Sequence, residues 1–256
     1  MLSSFPDGSH ALVTGASRGI GLEFVRQLLA EPGFTRVFAA CRRPAQDDAI
    51  ARLAAGETRL RIVTLDVADA TQIETAARQV AAETDRLHLI VNAAGVLHDA
   101  TVGMAPEKRL TDVRADILAA SFAVNAFAPL LVAKHFEPLL ARRERAVFAS
   151  ISARVGSIGD NRLGGWYAYR GAKAAQNMYT RTIAVEWARS RRNVVCVALH
   201  PGTTDTDLSR PFQANVPREK LFTPARTVRQ LLEVIDGLAP ADSGRFLAWD
   251  GSEVPW

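Results

Sequence analysis

Cysteine is nearly absent from this chain. Cys41 and Cys196 stand far apart with no CxxC spacing, which excludes a disulfide framework or a zinc knuckle and suits a reducing cytoplasm. No metal site is expected. One-sided charge is lacking too, because 31 Lys and Arg stand against 27 Asp and Glu along the whole length, for a net charge of +4. The densest basic runs, "ARRER" (141–145) and "RSRR" (189–192), close apolar helical patterns, where cations complement a helix C-terminus. No nucleic-acid partner is therefore expected. The opening "MLSSFPDGSHALV" has no basic region followed by a long apolar run, so no signal peptide is expected. Only "ILAASFAVNAFAPLLVA" (117–133) approaches a membrane span in length, and Ser121, Asn125 and Pro129 interrupt it. It reads as a helix buried on most sides, with a partner subunit covering part of it, and not as a span.

What is present is alternation. Short apolar runs rich in strand formers occur at 10–15, 36–41, 59–66, 87–95, 145–152, 193–202 and 244–251. Helical patterns fall between them at 19–31, 70–83, 108–142, 166–189 and 223–237. Continuous apolar strands separated by helices predict a parallel sheet covered on both faces, a doubly wound α/β domain of about seven strands. With 256 residues, 48% of them hydrophobic, and no repeat or linker, one domain over 1–256 is expected. The longest irregular stretch, 203–222, follows a late strand and is expected to be a substrate loop.

"HALVTGASRGIGLEFVRQLLA" reads as strand, glycine-rich turn and amphipathic helix, with Gly15, Gly19 and Gly21 in the order G-x-x-x-G-x-G. Such a turn brings backbone N–H groups and a helix N-terminus against a pyrophosphate. "GASRG" also matches the G-x-S-x-G elbow of α/β-hydrolases. That elbow would follow several strands, whereas Ser17 follows the first, and nothing marks an acid before the last histidine, His200. At the end of the second strand, where an NAD site places an acid, the sequence is "AACRRP": Cys41, then Arg42 and Arg43, with Arg18 in the glycine turn. Guanidinium groups pair with phosphate through a planar fork, so a 2′-phosphate is favoured and NADP(H) is the expected cofactor. In "WYAYRGAK", Tyr169 has Lys173 four residues on, one helical turn away. That spacing alone fits either an activated phenol or an ordinary helix pair.

"TGASRGIG" (14–21), "LDV" (65–67), "NAAG" (92–95), Asn125, "YRGAK" (169–173) and "HPGTTDT" (200–206) occur in this order. The chain thereby resembles the short-chain dehydrogenase/reductases, a Rossmann-type family, along essentially its whole length. "SARVGSIGDNRLGGWYAYRGAKAAQNM" resembles the C-factor and sniffer-like carbonyl reductase branch. The resemblance implies that Gly15, Ser17, Arg18, Gly19, Ile20 and Gly21 wrap the cofactor phosphates, with Arg42 beside the ribose. It implies that Asp66 and Val67 meet the adenine, and that Asn92, Ala93, Ala94 and Gly95 pass along the ribose. Pro201, Gly202, Thr204 and Thr206 would cradle the nicotinamide, and Asn125 would hold a helix irregularity in a proton relay.

By the same likeness Tyr169 is the general acid that protonates a carbonyl oxygen. Lys173 would bond the ribose and draw the phenol, normally near a pKa of about 10, toward working pH. Tyr167 lacks a lysine partner and is expected to be packing or pocket wall. The family's serine falls at Ala153, and Ser152 is the expected substitute donor, provided the backbone turns there. The implied activity is NADPH-dependent hydride transfer to a small carbonyl, or from an alcohol, by a cytoplasmic homodimer or homotetramer. The alternative is a nucleotide-binding signalling or scaffold protein of the same fold with little turnover.

Overall fold

The residues SHALVT form strand β1 (Ser9–Thr14), in which all but His10 are buried. The computed structural model describes residues 2–44, 49–191 and 193–256; Arg192 of the second basic run lies outside the described residues. Along β1 the side chains alternate between two cores, as a strand buried on both faces must. Ala11 and Val13 join Phe24, Val25 and Leu28 on one side, and Leu12 joins Ile73, Val132, Phe136 and Trp187 on the other. Each large apolar side chain so buried contributes roughly 1.5–3 kcal/mol.

Chain order continues with α1 (Gly19–Ala30), β2 (Phe34–Cys41), α2 (Ala49–Gly56), β3 (Leu60–Thr64), α3 (Ala70–Ala81) and β4 (Leu89–Asn92). Then come α4 (Ala115–Phe122), α5 (Ala128–Phe136), β5 (Ala146–Ile151), α6 (Tyr167–Ser190) and β6 (Val194–His200). The two-residue strands β7 (Thr203–Thr204) and β8 (Leu221–Phe222) precede α7 (Pro224–Gly237) and β9 (Phe246–Ala248). Seven strands form one sheet in the order β3-β2-β1-β4-β5-β6-β9, every pairing parallel. This is the doubly wound Rossmann-type single domain that the alternation of apolar runs predicts. The order reverses between β1 and β4, which opens a crevice at their C-terminal ends, the place where such sheets bind ligands.

Two expectations change. The helix expected over 108–142 begins at Ala115 and is broken: α4 passes into a π turn at Ala123–Phe127 before α5. The apolar run carries no period to mark that break, but Asn125 sits inside it. The 203–222 stretch is also less irregular than its composition suggests, because β7 pairs in parallel with β8 and closes it at its base.

Candidate functional site

At the crevice, Gly15 and Gly19 have φ of 68° and 55°, conformations that side-chain-bearing residues avoid. Gly15 also lies against the strand β4 exit, since a Cβ there would come within 2.7 Å of the Ala94 backbone. The N-terminus of α1 has no side-chain cap and no acid in its first turn. Its N–H groups and dipole are thus left for an external anion, which fits a dinucleotide's pyrophosphate. Ser17 and Ile20 are half-buried on this turn and Arg18 is exposed, its guanidinium 3.6 Å from Asp207.

Strand β2 ends at buried Cys41, with Arg42 and Arg43 exposed beyond it. The Asp99 carboxyl is held below its ordinary range by hydrogen bonds from Thr101 and, to a smaller extent, by the charge of Arg42. Arg42 is thereby placed beside the loop that follows β4. Asp66 is half-buried and Val67 buried after β3; the Asp66 carboxylate accepts from the Ala68 N–H at 3.0 Å.

Asn92 ends β4 and donates to Ser150 Oγ at 3.2 Å, while its buried Oδ1 has no partner. Ala93 and Ala94 are half-buried and Gly95 exposed, and the chain beyond them is braced by Asn125. Its Nδ2 donates to the Val96 carbonyl at 2.7 Å and its Oδ1 accepts the Val96 N–H at 3.0 Å. The π turn is what turns this side chain toward β4.

On α6, Tyr169 and Lys173 share the face against β5, at 8% and 3% exposure. The Lys173 ammonium lies 5.8 Å from the Tyr169 ring centre and donates to the Ile151 carbonyl at 2.8 Å and to Gln176 Oε1 at 2.7 Å. The expectation that Lys173 draws the phenol downward is not met. Burial pushes the Tyr169 phenol up and brings the Lys173 ammonium down to about 7. Burial drives each group toward its neutral form.

Ser152 is corrected as well. Its hydroxyl, 2% exposed, donates to Asn177 Oδ1 at 2.6 Å. Ala153 remains extended at φ −148° and ψ 144°, and the chain turns only at 154–156, so the backbone turn that Ser152 needs is absent. Tyr167 is 40% exposed.

Trp166 has the left-handed conformation alone among described non-glycine residues, at φ 53°. Its N–H is pinned to the Glu107 carbonyl at 2.6 Å, and a Glu107 carboxylate oxygen accepts the Ala168 N–H at 3.3 Å. Trp166 packs 6.4 Å from Tyr169 and 4.9 Å from Phe212, ring centre to ring centre. Neither Trp166 nor Phe212 was marked by its sequence, because their contact joins two loops far apart in the chain.

The 203–222 segment reaches both halves of the crevice. The Thr206 methyl would lie 3.2 Å from a Cβ at Gly19, and His98 Nε2 meets the Asp207 carbonyl at 3.1 Å. Pro201 is buried, and Gly202 takes φ 72° with the Phe222 ring within 2.7 Å of where its Cβ would stand. The Thr204 hydroxyl is buried against Thr227 at 2.8 Å, and the Thr206 side chain lies at the crevice beside Gly19. Among the described residues no cluster suited to a metal occurs.

The same fold occurs in known proteins. The NADPH-bound carbonyl reductase from chicken fatty liver superposes with a TM-score of 0.87 at 32% identity, over 98% of this chain and 95% of that one. The carbonyl reductase Sniffer of Drosophila melanogaster gives a TM-score of 0.84 at 26% identity, over 98% of this chain and 100% of that one. The C-signal protein of Myxococcus xanthus is 40% identical over 147 residues, 57% of this chain and 83% of its own length. The family model for short chain dehydrogenases matches residues 9–217. The chain therefore belongs to the short-chain dehydrogenase family, oxidoreductases that act on small molecules with nicotinamide cofactors.

Proposed function

We propose that this oxidoreductase is an NADPH-dependent reductase of a small aldehyde or ketone. The observation that carries the reading is the buried Tyr169–Lys173 pair beside a switch-point crevice whose β2 end bears Arg42 and no acid. The uncapped α1 N-terminus and the Gly15–Gly21 turn suit the pyrophosphate, and Arg18 and Arg42 suit a 2′-phosphate. NADPH supplies the hydride when bound.

Tyr169 acts as general acid. Because burial raises its pKa, the phenol is protonated at working pH, the form that delivers a proton to the carbonyl oxygen. The Lys173 charge at 5.8 Å from the ring offsets the negative charge left as that proton departs. Asn125 keeps the β4 exit in place, and Trp166, Phe212 and His98 wall the substrate side, with 203–222 as the substrate loop.

The test is NADPH oxidation with a panel of carbonyl compounds. NADPH should bind at least about tenfold tighter than NADH, and Arg42→Asp should erase or reverse that preference. Equal affinity of the parent protein for both cofactors would sink the NADP assignment.

A second reading, a nucleotide-binding signalling protein with little turnover, draws on Ala153 and on the Ser152 hydroxyl being committed to Asn177. NADPH binding without turnover on any carbonyl tried would favour it.

A further inference from the structure

Lys173 is one of only four lysines in the chain, with Lys108, Lys134 and Lys220, and it is buried with no carboxylate paired to it among the described residues. Its Nζ is held by two neutral oxygens, the Ile151 carbonyl at the end of β5 and Gln176 Oε1 three residues along α6. Gln176 is itself 1% exposed, and its amide Nε2 has no partner. A buried amide with an unmade donor costs on the order of 1–3 kcal/mol. An apolar side chain at 176 would fill the same place without that cost. Its stability is thus no reason for the glutamine, whereas its oxygen does meet the ammonium.

We propose that Gln176 is a positioning residue. It anchors the Lys173 Nζ beneath the Tyr169 ring and, by presenting a carbonyl dipole to it, sets how readily this lysine keeps its proton. The inference deepens the reductase reading and rests on it for its catalytic meaning.

The groups that face Lys173 leave this part to Gln176. Tyr169 on the same helix is driven toward its neutral form by burial. From β5 and the turn after it come the Ile151 carbonyl, Ser152 bonded to Asn177, and Arg154, which is drawn off to Asp160 at 2.9 Å. From β6, His200 accepts the Arg154 N–H at 3.2 Å. The π turn and α4 present Asn125, bonded to Val96, while Asp116 is paired with Arg114. None sets a charge against Nζ, and burial alone lowers the lysine to about 7.

The experiment uses full-length protein labelled with 13C at the lysine ε-carbon, where four signals are resolvable and Lys173→Arg identifies the one that matters. Titration is followed by NMR in the parent, Gln176→Leu and Gln176→Glu. Removing the oxygen should lower the Lys173 midpoint by about half a unit or more, and a carboxylate there should raise it by about one unit or more. The alkaline limb of NADPH-dependent turnover should move in the same two directions.

Midpoints within about 0.3 units of the parent in both variants, or shifts of the opposite sign, would overturn the proposal. So would a lowered melting temperature of Gln176→Leu with an unmoved Lys173 signal, which is the mark of a merely structural residue. If Gln176→Glu does not fold, the Leu variant alone decides. The titration needs no turnover, so shifted midpoints in a protein inactive on every carbonyl would reject the reductase reading and leave the anchoring intact.

Discussion

Tyr169 is the side chain on which the proposed chemistry depends most. Tyr169→Phe should reduce turnover by at least about a hundredfold with little change in NADPH affinity, as removal of a general acid does. Ser152 should behave differently. Its hydroxyl meets Asn177 at 2.6 Å, so Ser152→Ala should cost roughly 1–2 kcal/mol of unfolding free energy, read by urea titration. Turnover should stay within about threefold of the parent. Ala153, half-buried on the opposite side of the chain, is where a hydroxyl is missing. Ala153→Ser should raise turnover about tenfold or more if the site lacks only that donor.

His200 gives a pH dependence of its own. Burial, with a smaller contribution from Arg154 and against the opposing charge of Asp250, lowers it from 6.5 to about 4. Between those two values the unfolded chain carries a proton here that the folded one refuses, so stability falls as pH drops through that window. His200→Gln should flatten the fall by up to roughly 3 kcal/mol, seen by comparing denaturant midpoints at pH 6.5 and pH 4.

Among the elements, the π turn at Ala123–Phe127 earns its place by aiming Asn125 at Val96. Asn125→Ala removes both of those bonds and leaves the half-buried Val96 N–H and C=O unpaired. The expected cost is about 2–4 kcal/mol with a fall in turnover, checked by thermal melts and NADPH oxidation on the same sample.

Elements such as α1, α3, α6 and α7 were legible to within about two residues because each has an apolar period and ends at a recognisable turn. Helix α3 adds Asp69, which accepts from the Thr71 and Gln72 N–H groups, and α7 adds Thr223 followed by Pro224. Helix α2 was not legible, since eight residues with Ile50 alone buried carry too short a pattern. Ser152 misled for a related reason. Which face a residue takes depends on where its strand stops, and Ala153 remaining extended is decided by the Ser152 N–H bond to Leu199 on β6, not by local sequence. The glycine turn, Tyr169 and Lys173 could be read because their chemistry is local. The Trp166–Phe212 contact and the Gln176 anchor could not, because packing alone creates them.

For the molecule as a whole, apolar side chains remain uncovered on the α5–α6 side: Phe127 is 44% exposed, Met178 64% and Val185 48%. The most apolar 18-residue window within Ala115–Leu139 has mean hydropathy 1.7, yet only 39% of it is buried within its own chain. It was expected to be covered by more than its own fold, and an exposed patch of this kind marks an interaction face. A dimer or tetramer is expected by light scattering at micromolar protein, and Met178→Lys with Val185→Glu should shift it to smaller species.

The strand order also dictates how this chain comes to be folded as it is made. Counting outward from the centre, β2 and β3 are each laid beside the main-sheet strand synthesised just before, and so are β5, β6 and β9 on the other side. One pairing in the main sheet breaks that rule, β4 returning to β1 through Ala11–Thr14 against Leu89–Asn92. Until that return, one apolar edge of β1 waits open, and closing so long a loop is the slow kind of step. The two half-sheets meet where the glycine turn and the NAAG turn touch, at Gly15 and Ala94. The crevice is therefore born at the seam, and a nascent chain acquires its nucleotide site only in the act of joining its halves. Ligand added during refolding should accumulate its gain at that late joining step and leave the earlier strand-by-strand growth of each half unchanged.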